Sequence, residues 1–312
     1  MLENPPYFDD RCELNCICGA SSGLRFRRRD RYGLDFNFVL CRKCGHVRIK
    51  NPLSESAAIR FYSSSDYRSL YFLGETTEAV LRRKTPLPNS KSSLLSYVES
   101  LGISSGTIVE WGCGGGWNLV PFRDAGWKTI GFDFDQTYIS LGRELLHLEL
   151  FEIGNLSEAR EVAKAPDVIL MNHVIEHVSQ PHNTLSLLRE LCSDSTVLVV
   201  GVPLLETIGI WHWHDFFHIA HIHYFSHRTF TMTVQNAGFS VVDADVGRGM
   251  FALKKAEVEN STPTHRSGFR NSAFLLCKGF LEPRFRCRRL ASRLLRVFGL
   301  LGLARKLRRR NS

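Results

Sequence analysis

Glu110-Trp111-Gly112-Cys113-Gly114-Gly115-Gly116 sets an acid ahead of alternating glycines, a pattern that lets backbone lie against a ligand. The spacing sorts the candidate ligands. A dinucleotide loop needs a glycine where Trp117 stands, and no Gly-Lys-Ser/Thr follows to cradle phosphates. An acid at that position would repel phosphate, so the expected ligand carries a cation. Cysteine is the second chemical group. Cys16-Ile17-Cys18-Gly19 and Cys41-Arg42-Lys43-Cys44-Gly45 are close pairs, each followed by glycine. Tight turns that aim Cys16, Cys18, Cys41 and Cys44 at one point suit four-coordinate zinc. The first pair is C-x-C where zinc ribbons have C-x-x-C, so Cys12 or His46 is a possible substitute ligand, and four buried metal-free thiols are the alternative. Histidine is the third group: nine of the 12 lie between His173 and His227. Histidine takes up protons near neutral pH, which makes His177, His221 and His223 the candidate bases. His212-x-His214 and His221-x-His223 would converge on a second metal only if they lay on strands, where alternate residues share a face.

These residues need elements to position them, and the hydrophobic period supplies a series. Strands are expected over Thr107 to Glu110, Lys128 to Asp133, Leu150 to Ile153, Asp167 to Met171 and Thr196 to Val202. Helices alternate with them over Asn118 to Ala125, Thr137 to Leu148, Ser157 to Ala165 and Pro181 to Cys192. That alternation predicts an α/β fold with a parallel sheet covered on both faces. Ser226 reads as the N-cap of a helix ended by Gly238, and a closing hairpin follows over Phe239 to Val246 and Met250 to Lys254. The glycine loop then stands at a strand's carboxyl end, where open α/β sheets bind ligands. The expected organisation is a cysteine-rich zinc-ribbon-like module over 1–60, a connector over 61–91, the main domain over 92–256 and a basic amphipathic tail over 257–312.

The chain has 312 residues, is 44% hydrophobic and carries a formal charge of +9, a soluble globular composition that excludes collagen-like, disordered and small disulfide-scaffold classes. Between His265 and Ser312 there are 14 Lys and Arg against one acid, Glu282, so the rest is mildly acidic. The tail interleaves leucines with arginines, a pattern suited to an anionic membrane surface. Nucleic acid is the weaker competitor, because no RNA-binding motif accompanies the charge. No leader pattern is visible at the start, which gives a cytoplasmic address, peripheral at the inner face of the plasma membrane through the tail.

The glycine loop and the acid that follows it resemble those of the class I S-adenosylmethionine-dependent methyltransferases, over roughly Ser92 to Ala256. The resemblance implies a Rossmann-like seven-stranded sheet, mostly parallel with a closing antiparallel hairpin, and S-adenosyl-L-methionine as cofactor. It implies that Glu110 holds the ammonium end and that Gly112, Gly114 and Gly116 let the methionine part lie on backbone. Asp133 matches the acid that accepts both ribose hydroxyls, with Asp135 as fallback, and Asn155 stands where the family places the adenine-binding Asp. Asp167 to Val178, with Glu176-His177, resembles the fourth-strand segment of the small-molecule branch. Together with Trp211-His212-Trp213-His214, His221 to Ser226 and the cysteine module, it is similar to methyltransferases of sugar and polysaccharide modification. The implied acceptor is a sugar or glycan precursor. A quinone or small aromatic acceptor is the second enzymatic reading, and a zinc-ribbon RNA-binding protein using the fold as a scaffold is the non-enzymatic one. Trp211, Trp213, Phe216 and Phe217 form either a wall of the acceptor pocket or ordinary core.

Overall fold

The computed structural model describes residues 9–29, 35–64, 74–87, 92–153, 156–208, 216–257 and 267–281. Two sheets organise the chain. The larger has seven strands: β4 (Thr107–Trp111), β5 (Lys128–Asp133), β6 (Glu149–Glu152), β7 (Val168–Asn172), β8 (Val197–Gly201), β10 (Phe239–Asp245) and β11 (Met250–Lys255). Their spatial order is β10-β11-β8-β7-β4-β5-β6, and all pairings are parallel except those of β11 with its two neighbours. The order reverses at β4, whose neighbours are β5 on one side and β7 on the other. The crevice for a ligand therefore opens at the carboxyl end of β4. Val197–Gly201 is buried at every position, as a strand covered by helices on both faces must be.

The smaller sheet is antiparallel and holds β1 (Gly23–Arg29), β2 (Asp35–Cys41), β3 (Val47–Ile49) and β9 (His223–Tyr224), in the order β1-β2-β3-β9. The first 50 residues supply three of its strands, and the fourth comes from the segment between β8 and β10 of the large sheet. Phe38, Phe216, Phe217 and Tyr224 fill its core. Phe216 and Phe217 are thus buried core, because they stack on Phe38 and Tyr224. Trp211, Trp213, His212 and His214 lie outside the described residues.

The helices follow their local signals. α1 (Glu55–Ser63) and α2 (Thr77–Lys84) are capped by Ser54 and Thr76, whose side chains accept from N3 amides. Between 61 and 91 the chain is therefore more than a link, since α2 packs against α5 (Gln136–Leu146). α3 (Ser93–Ser100) precedes the sheet and α4 (Val120–Asp124) follows the glycine turn. α4 is shorter than the expected Asn118 to Ala125, because Pro121 lacks an N–H and fits only the first turn. α6 (Leu156–Val162) and α7 (Pro181–Leu191) alternate with the strands, and α8 (His227–Asn236) starts at Ser226 with a capping box and ends before Gly238. α9 (Ser267–Leu281), the first part of the expected tail, packs on β2, while 282–312 lie outside the described residues. Among the described residues no helix is long and apolar enough to cross a membrane.

Candidate active site

Glu110, next to last in β4, is wholly buried, and the turn after the strand puts Gly112 and Gly114 at φ of 77° and 54°. Side chains seldom adopt that region, and a Cβ would meet Val174 at Gly112 and the Trp117 ring at Gly114. The turn carries Gly114 to the end of β5, where its N–H donates to Asp133 Oδ2 at 2.7 Å. Asp135 N–H donates to Asp133 Oδ1 at 2.9 Å. Each Asp133 oxygen therefore keeps a lone pair for one further donor, which fits the two hydroxyls of a ribose. Burial raises the Asp133 carboxyl, and these two amides counter it. Asp135 is occupied otherwise: it caps α5 by accepting from Thr137 and Tyr138 amides.

Asn118 donates to Glu110 Oε1 at 2.6 Å, while Oε2 is buried without a hydrogen-bond partner among the described residues. An orphaned carboxylate oxygen at the carboxyl end of β4 fits a cationic group such as the ammonium of the proposed cofactor. Burial pushes the Glu110 carboxyl up to about 8. Lys84, from the end of α2, lies 4.3 Å over the Trp117 ring, and burial pushes its amine down to about 8. Asn155 lies outside the described residues.

Across the crevice, the turn after β7 packs Val174 on Gly112 and presents Glu176, which is fully buried. His173 Nδ1–H donates to Glu176 Oε1 at 3.2 Å, and His177 Nε2 and His221 Nε2 lie 3.8 and 3.9 Å from the same oxygen. Burial alone would raise the Glu176 carboxyl; the His173 hydrogen bond and the nearby His177 hold it below its ordinary value. Burial pulls His177 and His221 down, so both rings are neutral near pH 7. Their Nδ1 atoms sit 2.8 Å from Ala220 O and 3.0 Å from Phe216 O, so each Nδ1–H donates to a carbonyl. Tyr62, from the end of α1, places its hydroxyl 3.0 Å from His177 Nδ1 and its ring edge-on to Phe134, the residue after Asp133. His223 goes elsewhere. It is buried with its Nδ1 2.9 Å from His46 Nε2 and its Nε2 3.4 Å from Ser179 O.

The four cysteines of the N-terminal lobe converge. Cys16 Sγ lies 3.5 Å from Cys44 Sγ, and Cys18 Sγ 3.7 Å from Cys41 Sγ. Tetrahedral zinc with thiolate bonds of about 2.3 Å separates its ligands by about 3.8 Å, so the set fits that ion. Hydrogen bonding among the four thiols pulls Cys18 and Cys41 down, while Cys16 and Cys44 are pushed up. Cys12 points away, toward Leu53 O, and His46 turns its ring to His223. Arg48, fully buried, donates to Leu14 O and Ser21 O and so clamps the segment bearing Cys16 and Cys18 onto β3.

The structure thus joins Glu110, the glycines and Asp133 on one side of the crevice and His177 with His221 on the other. It adds Tyr62, Lys84, Asn118 and His173, which sequence reasoning missed. Glu176 carried a signal in its adjacency to His177, whereas Tyr62 had none, being 115 residues from the ring it touches.

A profile of the family described as "Methyltransferase domain" matches residues 83–244. No curated protein matches the chain significantly. Among solved structures, magnesium protoporphyrin IX methyltransferase from Synechocystis PCC 6803, with bound SAH, is 14% identical over 65% of this chain and 100% of that one, with a TM-score of 0.44. The 1,6-didemethyltoxoflavin-N1-methyltransferase of Burkholderia thailandensis is 17% identical over 71% and 96%, also with a TM-score of 0.44. The glycopeptide N-methyltransferase MtfA is 14% identical over 57% and 97%, with a TM-score of 0.41. The family profile spans more than half of the 312 residues, and it falls on the sheet whose order reverses beside the glycine turn. The chain therefore belongs to the methyltransferase-domain family.

Proposed function

We propose that the chain methylates a sugar or glycan precursor, with the donor between Glu110 and Asp133 and the acceptor against Glu176, His177, His221 and Tyr62. The observation that carries this reading is the pairing across one crevice of a buried carboxylate oxygen and two histidine Nε2 atoms that have no hydrogen-bond partner among the described residues. When bound, S-adenosylmethionine supplies an electrophilic methyl group on a sulfonium. Glu110 Oε2 receives the ammonium and Asp133 the ribose hydroxyls. Holding the two reactants in line supplies on the order of 7–11 kcal/mol of barrier reduction. The Glu176–His177–His221 cluster receives the acceptor hydroxyl and promotes the loss of its proton, adding roughly 10²–10⁴-fold. The sugar class rests on the resemblance of residues 167–178 and of the cysteine lobe to sugar-modifying enzymes.

We further assign structural zinc to Cys16, Cys18, Cys41 and Cys44, and an anionic membrane surface to the basic tail. Mass spectrometry of nucleotide sugars incubated with donor and enzyme tests the acceptor class. A gain of one methyl supports it; methylation confined to quinones or small phenols overturns it.

A further inference from the structure

We propose that Glu176, His177 and His221 bind a divalent metal ion on the acceptor side of the crevice, a site distinct from the four cysteines. The proposal deepens the functional reading above and rests on it for the placement of the acceptor.

The argument begins with protons. A ring nitrogen 2.8 Å from a carbonyl oxygen must carry a hydrogen, since two lone pairs repel at that distance. This fixes Nδ1–H on His177 toward Ala220 O and, at 3.0 Å, on His221 toward Phe216 O. Each Nε2 is then left with a bare lone pair. Both face Glu176 Oε1, at 3.8 and 3.9 Å, and the three donor atoms lie within 4.8 Å of one another. Glu176 Oε2 is buried and has no hydrogen-bond partner among the described residues. Three electron-pair donors face one another here, with the His173 N–H on Glu176 Oε1 beside them, and such a set suits a cation.

Two imidazoles and one carboxylate are a ligand set for zinc, iron or manganese, whereas the softer thiolate set suits zinc. Bonds of 2.0–2.1 Å place tetrahedral ligands about 3.4 Å apart, so each side chain moves inward by a few tenths of an ångström. The outer groups that metal sites use are in place. Backbone carbonyls fix both rings through Nδ1–H, Tyr62 touches His177 Nδ1, and His173 donates to Glu176 Oε1. Three protein ligands leave a fourth position for an acceptor oxygen. In the step proposed, the acceptor hydroxyl coordinates the ion and its proton passes to water. Its oxygen bonds the methyl carbon as the S–CH3 bond breaks, and S-adenosylhomocysteine leaves as a neutral thioether. The acceptor class is therefore an oxygen nucleophile.

The test is metal analysis of the full chain after equilibration with Zn²⁺, Mn²⁺ or Fe²⁺ and desalting, with S-adenosylhomocysteine calorimetry alongside. The wild type is expected to hold one more ion than His221→Asn and Glu176→Gln, while Cys41→Ser keeps the additional ion. S-adenosylhomocysteine affinity in His221→Asn should stay within about twofold, which shows a folded protein and an intact donor side. Equal contents in wild type, His221→Asn and Glu176→Gln for all three ions overturn the metal site and leave the methyltransferase reading standing. Loss of the ion in both variants supports the site even if no candidate sugar is methylated, an outcome that counts against the acceptor reading alone.

Discussion

Glu110 is a carboxyl group held without water, and its chemistry follows from that. The folded chain keeps its proton to about pH 8, while an unfolded chain releases it near the ordinary carboxylate value of 4.5. Between those limits the unfolded state binds fewer protons, so stability falls as pH rises, by about 1.4 kcal/mol per unit from this group. Glu110→Gln should flatten that slope and raise the melting temperature of the ligand-free protein at pH 8, read by calorimetry. The same variant should bind S-adenosylhomocysteine roughly 10–100-fold more weakly, the worth of a charged hydrogen bond of about 1.5–3 kcal/mol. For the wild type, affinity should climb as pH passes through 8, because the carboxylate form is the one that receives the ammonium. Asp133→Ala removes the acceptor of the Gly114 and Asp135 amides as well as the proposed acceptor of the ribose, and isothermal titration should show a loss of at least that size. These donor-side residues were legible in the chain because they are local: Glu110, the glycines and Asp133 sit at the ends of two adjacent strands. The acceptor side was legible only in part. His177 and His221 come together as expected, but His223, two residues from His221, points into the other sheet toward His46.

At the scale of elements, the strand and helix series of the large sheet was readable from period alone, since each unit buries its own apolar face. The small sheet was not, because β3 and β9 have three and two residues, and β9 exists only through its pairing with β3, which β2 holds from the other side. Arg48 on β3 joins that sheet to the cysteine segment through two carbonyls. Arg48→Met should therefore destabilise the lobe by about 1–3 kcal/mol, by leaving buried carbonyls unpaired. The accompanying change would be faster modification of Cys16 and Cys18 by a thiol reagent, with S-adenosylhomocysteine affinity little altered. α1 likewise reaches across elements, and Tyr62→Phe should lower kcat several-fold while leaving donor affinity intact, because its hydroxyl touches the acceptor-side histidine and the Ala220 carbonyl.

For the whole molecule, charge is concentrated in one stretch, with 14 Lys and Arg after residue 264. Flotation with anionic vesicles should recover the intact chain and leave a version truncated after residue 281 in solution, with the difference vanishing in high salt. Equal recovery would remove the membrane from the picture. Stripping the proposed zinc from the cysteine lobe should slow methyl transfer more than it weakens donor binding, because the Ile222 and His223 amides, at the start of β9, both donate to the Glu176 carbonyl. That short strand has a further consequence. His46 and His223 are 177 residues apart, yet the lobe's fourth strand exists only when both ends of the chain have found each other. An excised lobe would expose the naked edge of β3, and a catalytic half made alone would lose the partner of β9. Neither piece is a portable cassette, and any recombination that keeps the enzyme whole must inherit both together.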